Sequence, residues 1–400
     1  MTAPDRPIRL LTFTTLYPNA ASPTHGVFVE NRLRHLVGTG QVEATVLAPV
    51  PWFPSRNPAF GAWARHAAAP RAETRHGLRI LHPRYPVIPR FGMSFTPMLL
   101  YAASRRAMAR LREEGAQWDA IDAHYLYPDG VAAAWLARAF DLPVVLTARG
   151  SDVTQLAEYA GPRAMIRRAA CAADAVITVS DGLRAGLMDI GVPGTRITTL
   201  RNGVDLTVFR PLDPAASRAG LGLSGRVLIS VGALIERKGH HRTIEAMAEL
   251  TDWDLIIIGE GPLRKALVAQ ANRIGAGSRV HLPGAVPHED LPRYYAAADF
   301  SVLASSREGW ANVLLESLAC GTRVIASPIA GNTEVIRAPE AGMVMTENSA
   351  SGIARAVRAL AAQPVDRNAT AAYAAQFSWD QTTAGQLALF RDVIAGRRAG

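Results

Sequence analysis

The 400-residue chain has only two cysteines, Cys171 and Cys320, each in an apolar helical pattern. That favours two buried free thiols in a reducing compartment over a disulfide. No apolar run reaches the roughly 18 residues of a membrane span. The stretch Met1-Thr2-Ala3-Pro4-Asp5-Arg6-Pro7 lacks the charged, apolar and small-residue zones of a signal peptide, so the expected location is cytoplasmic. There is no HExxH pattern, no paired CxxC and no DxD-type pair in a strand-end loop, which argues against metal catalysis and leaves no metal ligand to name. No GxGxxG follows the first strand, which argues against a nicotinamide cofactor, and there is no Walker A run.

Lysine is scarce as well. Of 43 basic residues only Lys238 and Lys265 are lysines, which leaves 41 arginines. The net charge of +9 and pI near 10 permit nucleic acid, anionic lipid or phosphate-rich ligands. The arginines are spread through the chain instead of forming one basic stripe, so nucleic acid is not an expected partner. Two helix patterns combine arginines with apolar residues: Arg105, Arg106, Arg110 and Arg112 with Met108 and Leu111, and Arg163, Arg167 and Arg168 with Met165 and Ile166. Either could lie on an anionic membrane surface, making the protein peripheral on the inner face of the plasma membrane, or be a solvated helix face.

What the chain has in quantity is apolar residue, 49%, enough for sizeable cores, and a length that suggests two domains. Strand and helix patterns alternate. In the first half, strands are expected at Arg9–Thr15, Glu43–Ala48, Leu78–Leu81, Asp119–Ala123, Pro143–Thr147, Asp174–Val179 and Arg196–Leu200. Residues 51–95, rich in Pro, Arg and aromatics, give no confident fold and are too long for a simple connection. In the second half, strands are expected at Arg226–Val231, Asp254–Ile258, Arg279–Leu282, Phe300–Leu303 and Arg323–Ala326. The expectation is α/β: two doubly wound, Rossmann-like parallel-sheet domains facing a cleft, residues 1–203 and 204–378, with a C-terminal helix in 379–400 packing back on the first.

Ligands of open parallel sheets bind outside the carboxyl ends of the strands, so those loops carry the functional reading. Gly232 to Gly239 follows one strand and places Arg237 and Lys238 before a helix: a forked cation, a point charge and a helix dipole suited to phosphate, or a solvated basic turn. Gly259-Glu260-Gly261-Pro262 follows the next, and its glycines let backbone approach a ligand. Ser327 to Glu334 holds another glycine turn. Between them lies Glu308-Gly309-Trp310-Ala311-Asn312-Val313-Leu314-Leu315-Glu316, two acids eight positions apart. Asn312 is a suitable N-cap, Leu314, Leu315 and Leu318 form an apolar face, and Gly321 suits the αL stop. The free N–H groups of that first turn favour phosphate, and a carboxylate on each side could take sugar hydroxyls; a capped helix with ordinary surface acids is the plain alternative. In the first half, His124-Tyr125-Leu126-Tyr127-Pro128-Asp129-Gly130 and Ala148-Arg149-Gly150-Ser151-Asp152 end two strands. His124 reads equally as a base or sugar donor and as a satisfied core residue.

Together, Arg201-Asn202-Gly203-Val204-Asp205, Arg237-Lys238-Gly239, the Gly259–Pro262 turn and the Glu308/Glu316 pair closely resemble the retaining glycosyltransferases of family four, with the GT-B fold. Tyr17-Pro18-Asn19 and His25-Gly26 resemble bacterial members that build surface polysaccharides. The resemblance implies a donor that is a nucleotide-diphosphate sugar, no cofactor, and a glycan, lipid-linked or small-molecule acceptor. It implies that Arg237 and Lys238 hold the diphosphate, that Val313 and Leu314 N–H groups bind its distal phosphate, that Glu316 binds ribose, and that Glu308 contacts the donor sugar. It places His124 near the transferred sugar and Gly26 in a loop over the diphosphate. Gly261 and Asn312 join the donor side; Tyr127, Arg149 and Asp152 are acceptor-side expectations. Ala311, Ala233 and Arg149 depart from residues common in the family, proline, arginine and histidine respectively. A nucleotide-sugar epimerase of the same fold and a catalytically silent nucleotide-sugar binding protein are the alternatives.

Overall fold

A computed structural model of the chain describes residues 6–87, 92–364 and 366–399. The chain divides into two compact units, Met1–Arg201 with Gln381–Gly400, and Asn202–Asp380.

The first unit is built on an eight-stranded sheet from β1 (Ile8–Phe13), β2 (Val42–Leu47), β4 (Ala72–Arg75), β5 (Leu78–Leu81), β7 (Ala120–His124), β8 (Val144–Ala148), β9 (Ala175–Thr178) and β10 (Ile197–Thr199). The order is β10-β9-β8-β7-β1-β2-β5-β4, parallel except for the β4/β5 hairpin at one edge. β7 and β8 are buried along their whole length, as strands covered on both faces must be. Leu387 and Phe390, in the helix Trp379–Ala399, pack with Leu10, Leu36, Val145 and Ile177 into one core.

Residues 51–95, opaque in the sequence, contain a two-residue ladder of β3 (Val50–Pro51) with β6 (Arg84–Tyr85), a 3-10 turn at Pro58–Phe60, a helix Ala62–Ala68, and the β4/β5 hairpin. Phe91 of that stretch lies outside the described residues, as do Met1 to Asp5 of the leader reading.

The second unit holds β11 (Arg226–Val231), β12 (Trp253–Ile258), β13 (Val280–Gly284), β14 (Phe300–Leu303), β15 (Arg323–Ala326) and β16 (Gly342–Val344), all parallel, in the order β13-β12-β11-β14-β15-β16. β16, a short edge strand, was not foreseen. Its core gathers Leu228, Leu255, Ile257, Phe300, Val302 and Ile325 from the strands with Ile244, Leu267, Val357 and Leu360 from the helices.

Two expectations need correcting. Cys320 is buried, but Cys171 is only half-buried. Met108, Leu111 and Ile166, the apolar partners of the arginine-bearing helices, are 0%, 2% and 0% exposed. They belong to the core of the first unit, so along these stretches the arginines form a solvated face backed by protein, although Met93, Phe95 and Met98 stay exposed at the start of the first of these helices, Gly92–Glu113.

Candidate functional site

Among the parallel strands of each sheet the chain order reverses once. It reverses between β11 and β14 in the second unit and between β1 and β7 in the first. Loops leaving the carboxyl ends of two such strands diverge to opposite faces and leave a crevice, where open parallel sheets bind ligands. The residues singled out above fall on these loops or on those that follow the neighbouring strands β8, β12 and β15.

In the second unit, the loop after β11 carries Arg237 and Lys238, and the loop after β14 carries Glu308. Lys238 Nζ donates to Glu308 Oε1 at 2.6 Å, Arg237 Nη1 donates to Glu308 Oε2 at 3.2 Å, and Ser305 Oγ donates to Oε1 at 2.7 Å. Glu308 is thus no ordinary surface acid: its side chain is 8% exposed. Burial pushes its carboxyl up, but the Lys238 and Arg237 charges and the hydrogen bonds from Lys238 and Ser305 outweigh this and hold it below the usual carboxylate range. Two cations facing one carboxylate leave the cluster one positive charge in excess, a setting that attracts an anion. Arg237 Nη1 also donates to the Arg307 carbonyl at 2.9 Å, and Ser306 N donates back to the Arg237 carbonyl at 2.9 Å, so the two loops are zipped together.

Glycine makes this crowding feasible. Gly239 has φ +71°, and a Cβ there would stand 2.1 Å from the Ala304 carbonyl oxygen. Gly261 lies so close to the Leu234 backbone that a Cβ would be 2.5 Å from that carbonyl oxygen, and Leu263 N donates to the same oxygen at 3.1 Å. Ser327 Oγ donates to the Ser305 carbonyl at 2.6 Å. The loops after β11, β12, β14 and β15 are therefore bound to one another in pairs along one edge of the sheet.

The helix Asn312–Ala319 begins here, with Leu314, Leu315 and Leu318 fully buried beneath it and Gly321 in the αL region at φ +79° beyond it. The cap differs from expectation. Ala311 is the cap residue and no side chain caps the helix; Asn312 is the first helical residue. Its Oδ1 accepts from Asn202 Nδ2 at 3.2 Å, and Trp310 Nε1 donates to the Asn202 carbonyl at 3.0 Å. The Asn312 side chain ties the helix start to Asn202 and so is unavailable as a cap. Leu314 N already donates to the Ala311 carbonyl at 3.0 Å, which leaves the N–H groups of Asn312 and Val313 ahead of the first helical bond.

Glu316 lies one turn further on. Its Oε2 accepts from the Tyr295 hydroxyl at 3.1 Å, and His288 Nε2 stands 3.5 Å from Oε1. The hydrogen bond to Glu316 raises the His288 pKa against its burial. Burial, then the charge of Glu316, raises the Tyr295 hydroxyl far above its ordinary range, so it stays a donor.

In the first unit, the loop after β1 meets the loop after β7. Thr15 N donates to Asp129 Oδ1 at 2.6 Å and its hydroxyl to Oδ2 at 3.1 Å. Burial pushes the Asp129 carboxyl up to about 7 against these bonds. Gly26 has φ +73°, and a Cβ there would be 2.3 Å from the Leu16 carbonyl carbon and oxygen, which fixes the loop against its own start. His124 is 1% exposed. Arg149 Nη2 donates to its Nδ1 at 2.8 Å, so the proton sits on Nε2, which donates to Asp122 Oδ2 at 3.1 Å. Burial lowers the ring's pKa to about 4, opposed by Asp122 and aided by the Arg149 charge. Both nitrogens are engaged in the structure. Asp152 accepts from Leu126 N at 2.8 Å, Gly150 N at 2.7 Å and Arg149 N at 3.1 Å, and burial still raises its pKa. The buried Tyr127 hydroxyl donates to the Met93 carbonyl. Arg149, Asp152 and Tyr127 therefore shape the two loops from within.

Sequence reasoning missed Ser305, Tyr295, His288, Asp122 and Thr15. Ser305 had a signal, three positions before Glu308 in the same strand-end loop. Tyr295 and His288 lie more than twenty residues before Glu316, and nothing local links them to it.

Residues 217–377 match the family model of the group 1 glycosyl transferases, and residues 27–208 match that of glycosyltransferase family 4. The chain is 27% identical over 362 residues, 88% of each chain, to a putative teichuronic acid biosynthesis glycosyltransferase of Bacillus subtilis. It is 28% identical over 429 aligned positions, 98% of this chain and 97% of the other, to a D-inositol 3-phosphate glycosyltransferase of Catenulispora acidiphila. Among solved structures it superimposes on Anabaena HepE in complex with UDP-glucose with a TM-score of 0.70, at 19% identity, over 95% of this chain and 99% of the other.

Proposed function

We propose that this chain, which its two matched regions make a GT-B glycosyltransferase of the group 1 and family 4 type, is a retaining enzyme that needs no metal. It moves a sugar from a nucleotide-diphosphate donor to a glycan, lipid-linked or small-molecule acceptor, in polysaccharide or glycolipid synthesis. The second unit binds the donor and the first the acceptor.

The observation that carries this reading is the meeting of Arg237, Lys238 and Glu308 across the β11/β14 switch point. A donor diphosphate brings negative charge to two cations that a single carboxylate only half neutralises. Arg237 and Lys238 pass to the phosphates, and Glu308 is released to accept from donor-sugar hydroxyls. The Val313 N–H takes the distal phosphate, joined by that of Leu314 once its turn opens, with Asn312 holding the helix start; Gly261 lets the neighbouring loop approach. Glu316, oriented by Tyr295 and His288, accepts from ribose hydroxyls.

As the bond between the anomeric carbon and the phosphate oxygen breaks, charge grows on the leaving diphosphate. Preorganised cations are worth most at that moment, because they act on the transition state more than on the bound donor. The acceptor oxygen attacks from the same face, and its proton goes to the departing phosphate oxygen. Held below the usual carboxylate range by two cations, Glu308 fits an acceptor of hydrogen bonds better than a proton donor. A buried, neutral His124 fits a positioning hydrogen bond better than a base. Gly26 gives the loop after β1 its tight turn, and Tyr127, Arg149 and Asp152 set the acceptor side.

The cytoplasmic reading stays part of the proposal; no helix among the described residues is long and apolar enough to cross a membrane. Attachment to an anionic membrane would use Met93, Phe95 and Met98, which are half exposed at the start of the helix Gly92–Glu113.

Incubation with a panel of nucleotide sugars, with and without acceptor glycans, tests the function. Product with the donor's anomeric configuration, seen by NMR, is the expected result. Conversion of the donor sugar without acceptor would make the chain an epimerase, and inverted product would exclude retention.

A further inference from the structure

The first unit also holds a pocket apart from the residues assigned above. β2 ends at Leu47 and β5 at Leu81, and the ladder of β3 with β6 begins three residues past each. This ladder therefore extends the carboxyl edge of the sheet, the edge where ligands bind. Against it lies a cavity of about 310 Å³, walled by Trp52, Phe53, Arg56, Pro70, Arg71 and Arg84. That volume falls at the lower end of small-molecule sites, about 300–1,000 Å³.

Its walls have two chemistries. Phe53 is anchored by Phe60 and Trp63, with ring centroids 5.3 and 5.6 Å away, while Trp52 leaves 56% of its surface exposed. Aromatic faces held in this way suit a ligand with an apolar face and a polar rim. The other wall is cationic. Arg84 is fixed by donating to the His66 carbonyl at 2.7 Å and to the Ala69 carbonyl, at the C-terminal end of the helix Ala62–Ala68. Arg56 and Arg71 are exposed beside it, near enough that their charges add to burial in lowering the Arg84 pKa. Among the described residues none of the three is ion-paired to a carboxylate, although Glu30, Glu114 and Asp119 each pair with an arginine elsewhere in this unit. Three guanidinium groups left together repel one another, and the natural relief is an anion with oxygens for their forks.

We propose that this pocket binds an acidic saccharide, a sugar ring against Trp52 and Phe53 with its carboxylate or phosphate on Arg56 and Arg71. A concave pocket whose lining includes the small side chains of Ala67 and Ala69 suits a compact ligand better than a flat lipid surface. As the seat of an acceptor the pocket rests on the transferase reading; as a saccharide site it does not.

The test uses the full chain at physiological ionic strength, where distant surface charges are screened. The probes are a tetrasaccharide of alternating glucuronate and N-acetylglucosamine, a neutral chitotetraose, inorganic phosphate, and phosphatidylglycerol vesicles. Calorimetry reads affinity, and saturation-transfer NMR reads contact with the sugar rings. The acidic tetrasaccharide is expected to bind roughly tenfold or more tightly than the neutral one. Arg56→Ala, Arg71→Ala and Trp52→Ala are each expected to weaken it by about tenfold. All three residues are exposed, so the variants should fold, and an unchanged melting temperature and nucleotide-diphosphate affinity show that they have. Equal binding of neutral and acidic sugars, unchanged affinity in Arg71→Ala, binding of phosphate without sugar contact, or binding of vesicles in place of the tetrasaccharide would each overturn the proposal. None of these readouts depends on turnover, so a failed transfer assay leaves the result standing.

Discussion

Lys238 Nζ and Glu308 Oε1 lie 2.6 Å apart, joining loops that leave strands on either side of the β11/β14 switch point. The pair is largely buried, with 14% and 8% of the two side chains exposed. Such a pair is costly to break from one side, about 3–5 kcal/mol, because the remaining charge is left without its partner. On the proposed function it is also the pair that a donor diphosphate opens.

The two halves of the pair should therefore fail differently. Lys238→Met is expected to lose both diphosphate affinity and turnover, with turnover down by roughly a hundredfold or more. Glu308→Gln removes the carboxylate that competes for the cations. It should bind nucleotide diphosphate at least as tightly as the wild type and still lose turnover. Titration calorimetry and initial rates separate these effects; equal loss of affinity in both variants would show that Glu308 supports binding instead of opposing it.

Gly26 and Gly38, at the two ends of one helical segment, offer a matched test of backbone crowding. A Cβ at Gly26 meets the Leu16 carbonyl at 2.3 Å with φ +73°, whereas nothing lies within 4 Å of one at Gly38. Gly26→Ala is expected to cost about 1–3 kcal/mol and to slow turnover. Gly38→Ala should be neutral or slightly stabilising. Denaturant melts of the two variants check both signs.

Asp129 sets a pH dependence. Its folded-state pKa of about 7 lies above the ordinary carboxyl value of 3.8. Its contribution to stability is thus full below about pH 4 and is lost as pH rises to 7, at up to roughly 1.4 kcal/mol per pKa unit. His124 works in the opposite direction: its pKa falls from 6.5 to about 4, so its contribution is present above 6.5 and lost as pH falls to 4. Because the His124 gain and the Asp129 loss run in opposite directions over the same window and largely offset each other, Asp129→Asn should turn a nearly flat profile between pH 4 and 6.5 into one that rises with pH. Urea melts at successive pH values would show no change in slope if Asp129 titrated normally.

Trp310 supports Glu308 from two residues away, through its 3.0 Å hydrogen bond to the Asn202 carbonyl. Trp310→Phe keeps most of the apolar contact and leaves that carbonyl without its indole donor, a cost of about 1–3 kcal/mol. A lower melting temperature with weaker diphosphate binding is expected. Full affinity at a lowered melting temperature would restrict Trp310 to a structural role.

The central strands were legible because they are covered on both faces. β11, for instance, is buried from Val227 to Val231, and such a strand reads as a nearly continuous apolar run, here interrupted only by Ser230. The ladder of β3 with β6 was not legible, since two-residue strands have no period to detect. Asn312 shows the limit of a local rule. Its chemistry suits a cap, but Asn202, more than a hundred positions away, engages its side chain. Glu308 could be singled out from its spacing to Glu316, whereas its burial and its grip on Lys238 depend on a strand order that no short window contains. The arginine-bearing helices misled for a related reason: one face of Arg with Met or Leu looks alike whether the apolar side meets lipid or the protein's own core.

The central claim is that the strand-end loops of the second unit hold a nucleotide diphosphate without metal. Its most direct test is calorimetric titration of UDP, GDP, ADP, CDP and dTDP into the full chain in excess EDTA, repeated with Lys238→Met. The account predicts that one of these binds one-to-one and that the variant loses about tenfold or more in affinity. Binding that requires added divalent ion, or equal affinity in Lys238→Met, would contradict it.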